Sequence, residues 1–192
     1  MTTYNHVLAL QTNGVSAETQ IHEGSVEELI EIVAKVDEET ARKMKATEDR
    51  LAAIAEATSD PNKAVEYYRL QSAQAGLDEF LMRELENHTP EEQQKMVDEW
   101  HRTTSVGTMI IYHGYNYAGR GVPFTLTWPN FDWWPFDCND AGSSVKTWGG
   151  NVLFEHSWYR GRRFYAIGTY LEYPDLRQAG FDNITSSYAA IG

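Results

Sequence analysis

A single cysteine, Cys138, stands in 192 residues, so no internal disulfide is available and the fold is not built around oxidative stapling. No run approaches the roughly 18 apolar residues that a helical membrane span requires. The opening Met1-Thr2-Thr3-Tyr4-Asn5-His6 lacks the basic start and long apolar stretch of a secretory leader, since the apolar patch Val7–Leu10 is too short. A soluble, cytoplasmic protein without a transmembrane segment is the expectation. There is no basic stripe, and 28 acidic against 16 basic residues give a net charge of −12. That charge disfavours unaided contact with phosphate backbones, so no nucleic-acid partner is expected.

Catalytic motifs are missing as well. The chain has no phosphate-cradling glycine loop, no His-Glu-x-x-His helix and no nucleophile in a triad motif. His88, His101 and His156 are scattered, and Glu155, Glu172 and Asp175 form no recognisable acid and base pair. Cys138 reads as a buried structural thiol. No enzyme is expected.

What is present is unevenly distributed. Residues 1–104 hold 21 acidic and 10 basic side chains, whereas residues 105–192 hold 7 and 6. Tryptophan divides the other way: Trp100 alone in the first part, and Trp128, Trp133, Trp134, Trp148 and Trp158 in the second. Two compositions imply two domains, an acidic and mostly helical one over 1–104 and a β-rich one over 105–192. The 42% hydrophobic content permits a real core.

In the first part, His6–Gln11 reads as a short strand or a packed arm. Ser25 and Glu28 form a capping box ahead of apolar Val26, Leu29, Ile30, Val33 and Val36, which predicts a helix start. The pattern runs on through Met44 and Leu51, either as one long helix or as two with a bend near Asp37. Pro61 suits the first turn of a further helix, and Thr89-Pro90-Glu91-Glu92 opens another. An antiparallel helical bundle accounts most simply for these segments, with its apolar stripes leaving open a closed bundle or a helix pair that forms a homo-oligomer or receives a protein partner.

The second part is organised by duplication. Tyr112, Tyr117 and Gly119 recur as Phe154, Tyr159 and Gly161, 42 residues on. Each set is followed by a polar run, Asn139-Asp140-Ala141-Gly142-Ser143-Ser144 and Asp182-Asn183-Ile184-Thr185-Ser186-Ser187, 43 residues apart. Landmarks recurring in order at one period mark a repeated supersecondary unit. Strands are expected at Met109–Tyr112, Phe124–Thr127 and Val145–Trp148, and again at Val152–Phe154, Phe164–Ile167 and Tyr188–Ile191, with a less obvious strand before each polar run. Four strands per unit and two units give a Greek-key sandwich. The fold class is α+β and multidomain, a helical bundle followed by an all-β sandwich.

The polar runs supply only oxygen donors, from carboxylate, carboxamide, hydroxyl and turn carbonyl groups. Hard cations such as Ca²⁺ take six to eight oxygens at about 2.3–2.6 Å, so the palette suits calcium over zinc or copper. Neither run has enough ligands alone, but two brought together would. The bland reading is a pair of Asx turns tied down by serines.

Residues from about 105 to 192 resemble a βγ-crystallin domain, built from two Greek-key motifs. Its hairpin signature is matched by the two aromatic and glycine sets, and its calcium motif, Asn/Asp-Asn/Asp-x-x-Ser/Thr-Ser, by both polar runs. The microbial members are commonly calcium binding, so the resemblance implies two Ca²⁺ ions. It further implies hydroxyl ligands from Ser143 and Ser186, carbonyl ligands from Ala141 and Ile184, crossing side chains from Asp140 and Asn183, and contributions from His113 and Glu155. With Asp140 set against Asn183, the two sites are expected to differ in charge and affinity. The resemblance leaves residues before about 104 unaccounted for.

Two other features invite recognition roles. The ring-dense segment 128–136, with Trp128, Phe131, Trp133 and Trp134, reads either as an aromatic platform for a protein, sugar or membrane surface or as a loop folded back over the sandwich. A platform would suit a peptidase inhibitor or toxin, which the fold family also includes. The group Arg160, Arg162 and Arg163 reads as a carboxylate-binding set, a partner for the acidic helices, or solvated hairpin charge.

Overall fold

The structure, a computed structural model, describes residues 4–11, 17–57, 89, 92, 95, 107–124, 127–132 and 138–191. Strand β1 (Tyr4–Gln11) turns back into β2 (Ala17–Gly24), and the two pair antiparallel without a break in register. Helix α1 (Val26–Ala34) starts where the sequence indicates: Ser25 accepts from Glu28 N, and the Glu28 carboxylate accepts from Ser25 N. The bend near Asp37 is real. Asp37 caps a second helix, α2 (Glu38–Ala57), by accepting from Thr40 N at 3.1 Å. Thr89 and Glu92 likewise exchange capping-box bonds. The helix expected after Pro61 lies outside the described residues.

The repeated part folds into β3 (Thr108–Tyr112), β4 (Gly121–Phe124) and β5 (Ser144–Trp148), then β6 (Gly150–His156), β7 (Arg160–Ile167), β8 (Tyr170–Tyr173) and β9 (Ser187–Ile191). A four-stranded sheet has the order β4-β3-β5-β8, and a five-stranded sheet the order β2-β1-β7-β6-β9. The two Greek keys exchange strands: β8 of the second pairs with β5 of the first. In return Trp128 of the first bridges Tyr188 in β9. Among the described residues the less obvious strand of the first copy shows only as that bridge. Strand β4 overlaps the strand expected at Phe124–Thr127 at Phe124, and Thr125 and Leu126 lie outside the described residues; β4 stands at a sheet edge, which tolerates Pro123 and its missing donor.

Inward-facing side chains of both sheets, among them Met109, Ile111, Val145, Leu153, Phe164, Leu171 and Tyr188, form the main core. Trp128 and Phe131 lie inside it at 0% and 1% exposure, with the Phe131 ring stacked 4.5 Å from Phe124. This corrects the platform reading for those two residues, because no face remains for a ligand; Trp133 and Trp134 lie outside the described residues.

A helical bundle is not what the described part of residues 1–104 forms. It supplies a hairpin and two helices, and β1 runs parallel beside β7 from Val7 opposite Phe164 to Leu10 opposite Ile167. The five-stranded sheet thus draws strands from both sides of residue 104. Its outer face buries Leu8, Val152, Phe154, Tyr165, Ala189 and Ile191 against Leu29 and Val33 of α1 and Ala41, Met44 and Leu51 of α2. Each such aliphatic side chain removed from water contributes about 1.5–3 kcal/mol, and among the described residues the apolar stripes of both helices sit on the sheet. The helix layer is also locked electrostatically: Arg163 of β7 donates to both carboxylate oxygens of Glu48, and the Tyr165 hydroxyl donates to the same group. No helix among the described residues is long and apolar enough to cross a membrane.

His6 of β1 is 1% exposed, and its Nδ1 accepts from Arg163 N at 3.1 Å. Burial, and after it the Arg163 charge, pushes its pKa down to about 4. The folded protein therefore holds His6 neutral while the unfolded chain protonates it near pH 6.5, so stability present above that pH is lost as pH falls toward 4. Urea unfolding at pH 7 and pH 4.5 should show His6→Asn, which keeps an acceptor, losing about 2 kcal/mol less than the unaltered chain across that interval.

Candidate metal centre

The signature aromatics set the frame. Tyr117 and Tyr159 take φ values of 64° and 60°, and Gly119 and Gly161 follow at 76° and 79°. This left-handed path folds each tyrosine edge-on against the aromatic five residues earlier, with ring centroids 5.7 Å apart for Tyr112–Tyr117 and 5.5 Å for Phe154–Tyr159. The last serine of each polar run fastens that hairpin. Ser144 Oγ donates to Gly114 O at 2.6 Å and accepts from Tyr117 N at 3.0 Å. Ser187 Oγ donates to His156 O at 2.7 Å and accepts from Tyr159 N at 3.2 Å. These serines are structural ties, the role that the Asx-turn reading assigned to the serines of each run.

The remaining run residues meet across the pseudo-twofold axis. Asp140 and Asn183 share a φ of 53°. Asp140 N donates to Thr185 O at 3.0 Å, and Asn183 N donates to Gly142 O at 2.9 Å. Ser143 Oγ donates to Asn183 Oδ1 at 3.4 Å, and Ser186 Oγ donates to Asp140 Oδ1 at 3.5 Å. Hence the second residue of each run faces the fifth residue of the other. Both distances are at the long limit of hydrogen bonding. They also match the separation of neighbouring oxygens around a cation that holds each at about 2.4 Å.

His113 and Glu155 are brought to the same places by backbone bonds. Ser143 N donates to Tyr112 O at 2.8 Å, and Ser186 N to Phe154 O at 2.9 Å, the carbonyls just ahead of them. Glu155 sits at a register shift between β6 and β7, which turns its side chain out of the regular ladder. Burial raises the Glu155 pKa, but the Arg162 backbone and side-chain hydrogen bonds and the Arg162 charge together outweigh it and lower the net value. Burial, then the Arg120 charge, lowers the His113 pKa, so that position carries no charge at neutral pH. One grouping is therefore Ser143, Asn183 and His113; the other is Ser186, Asp140 and Glu155. Ala141 and Ile184 stand half-buried beside them.

The donor chemistry fits a hard cation. Asn139 Oδ1, Asp182 Oδ1 and Thr185 Oγ1, all within the two runs, are buried without a hydrogen-bond partner in the protein. Among the described residues no three His, Cys, Asp or Glu side chains converge, so an ion here would meet at most two carboxylates and would rely otherwise on hydroxyl, carboxamide and carbonyl oxygens. Sequence reasoning passed over Arg162 as a neighbour of Glu155, and Tyr115, whose hydroxyl donates to Asp182 Oδ2 at 2.9 Å. The 42-residue offset, which aligns Arg120 with Arg162, was the available signal.

No family model matches the chain, and no curated protein matches it. Among solved structures, a βγ-crystallin from an archaeon is 30% identical, matching 44% of this chain and 98% of its own, with a TM-score of 0.39. A βγ-crystallin from Ciona intestinalis is 19% identical over 43% of this chain and 96% of its own, with a TM-score of 0.38. Spherulin 3a from Physarum polycephalum is 20% identical over 44% and 82%, with a TM-score of 0.36. The identity to nearly the whole archaeal protein, together with the duplicated signature, carries the family assignment.

Ser144→Ala and Ser187→Ala should each leave a hairpin N–H and C=O without their shared partner. A loss of about 1–3 kcal/mol per substitution is expected in chemical unfolding, and it should be the same with a calcium chelator present, since neither hydroxyl faces the crossing pairs.

Proposed function

We propose that this chain, which belongs to the βγ-crystallin family through its double Greek-key sandwich, is a calcium-binding structural or regulatory protein and not an enzyme. The crossing of Ser143 to Asn183 and of Ser186 to Asp140 is the observation that carries this reading. Each pair joins a buried hydroxyl to a carboxamide or carboxylate from the other motif, so a complete coordination sphere requires both motifs folded. A cation bound only in that state stabilises it by mass action, about 2.7 kcal/mol at a free concentration one hundred times Kd. The carbonyls of Ala141 and Ile184 would complete the two spheres.

The two sites are unequal. The Ser186 site offers the carboxylates of Asp140 and Glu155, while the Ser143 site offers Asn183 and the neutral His113. Net ligand charge is a principal determinant of calcium affinity, so the Ser186 site is the tighter one. A recognition role through segment 128–136 is less well supported, since Trp128 and Phe131 are core residues.

Calorimetric titration of the full chain with CaCl₂ should resolve two uptake events of different affinity. Ser186→Ala should abolish the tighter event and Ser143→Ala the weaker one, and chelation should lower the melting temperature. Absence of any calcium heat and of any calcium-dependent melting shift would overturn the assignment.

A further inference from the structure

We propose that Arg162 is a built-in competitor for calcium at the Ser186 site, holding the Glu155 carboxylate until a divalent ion displaces it; this rests on the calcium reading above. Glu155 Oε2 accepts from Arg162 N at 3.1 Å and from Arg162 Nε at 3.2 Å. A single carboxylate oxygen is thus engaged by both the backbone and the side chain of one residue. Glu155 stands at the β6–β7 register shift, where a side chain leaves the ladder, and Gly161 opposite it has no Cβ; one built there would lie 3.1 Å from Glu155 Oε2. The arrangement is a cradle for this ion pair.

The guanidinium is held at its other end. Its carbon lies 5.3 Å from the centroid of the Phe181 ring, and its Nη1 would stand 3.6 Å from a Cβ on Gly180. Gly180 and Phe181 lead directly into the second polar run. Both partners are about one quarter exposed, Arg162 at 26% and Glu155 at 23%, so solvent weakens the pair without removing it. A cation taking Glu155 as a ligand must therefore break or share the contact, and the freed guanidinium lies against the chain that enters the calcium loop.

The first motif provides an internal contrast. Arg120 occupies the position equivalent to Arg162, but His113 stands where the second motif has Glu155, so that position offers no carboxylate to withhold from calcium. Competition of this kind belongs to one site and narrows the affinity gap that the ligand charges alone would create.

The test compares CaCl₂ calorimetry and calcium-free melting for the full chain, Arg162→Gln, Glu155→Gln, the double variant, and Arg160→Gln as a charge control on the same hairpin. Arg162→Gln should tighten the Ser186 site by about two- to fivefold, the upper part of the range of a partly exposed ion pair, while lowering the melting temperature of the calcium-free protein. Arg160→Gln should change affinity by less than about twofold. In the Glu155→Gln background, removing Arg162 should bring no gain. Calcium uptake that is unchanged in Arg162→Gln, or equally improved with Glu155 absent, overturns the competition and leaves the calcium reading standing. No uptake by the unaltered chain overturns both.

Discussion

The reciprocal seating of two polar turns governs the rest of this architecture. Asp140 N reaches Thr185 O and Asn183 N reaches Gly142 O, so each turn gives a backbone bond to the other. The accepting residues, Gly142 and Thr185, are buried, and a buried carbonyl left without its partner costs more than the bond contributes when made. The turns can meet only if two similar units face each other, and the strand exchange between β5 and β8, with the Trp128–Tyr188 bridge in return, brings this about. The left-handed φ of 53° at both Asp140 and Asn183 is tolerated because Asn and Asp are the residues other than glycine that most readily adopt it.

Symmetry in the backbone is combined with asymmetry in charge. The two loops superpose in their bonding pattern, yet one set of facing side chains includes Asp140 and Glu155 and the other Asn183 and His113. Strand β7 then uses successive residues in opposite directions. Arg162 turns to Glu155 and the Phe181 ring, whereas Arg163 turns to Glu48 of α2 and Phe164 returns to the inner core. The period-two alternation of a strand thus places the contact with Glu155 and the helix-locking contact on adjacent residues. Arg163 Nη1 also donates to Gly161 O, so the signature glycine that accommodates Glu155 is bonded to the residue that holds the helices.

The double Greek key was legible in the sequence because its markers repeat at a fixed interval, and a repeated set of aromatics, glycines and polar turns has few geometric solutions. The Ser25 capping box was legible for a local reason, since its bonds close within three residues; the break at Asp37 was one of two open alternatives, and the Asp37 cap on Thr40 N distinguishes them. The placement of the first part was not. Whether the apolar stripe of Leu29, Val33, Met44 and Leu51 packs on other helices or on a sheet depends on a partner over a hundred residues away, Phe154, Tyr165 and Ile191 among them. His6–Gln11 was ambiguous between strand and arm because the signal that settles it, parallel pairing with β7, is absent from local pattern. The aromatic segment shows the opposite limit: ring density marks buried anchors and exposed platforms equally, and only the packing of Trp128 and Phe131 distinguishes them.

The N-terminal hairpin also resolves a difficulty that the sandwich alone would have. Without β1, β7 would be an open edge beside the Glu155 hairpin, with a row of unsatisfied groups available to other chains. Parallel pairing from Val7 to Leu10 covers that edge, and the chain then doubles back so that β2 becomes the new one. Strand β2 carries exposed Glu18 and Glu23, one on each of its faces, and charged side chains on an edge strand discourage pairing with another chain. The exposed Ile21, at 63%, is therefore flanked on its own strand by acids that discourage self-pairing. The same hairpin carries His6 under Arg163 and leads into the helices that cover the outer face, so edge protection, helix docking and the ion-pair layer next to the Glu155 hairpin all depend on β1 remaining in place.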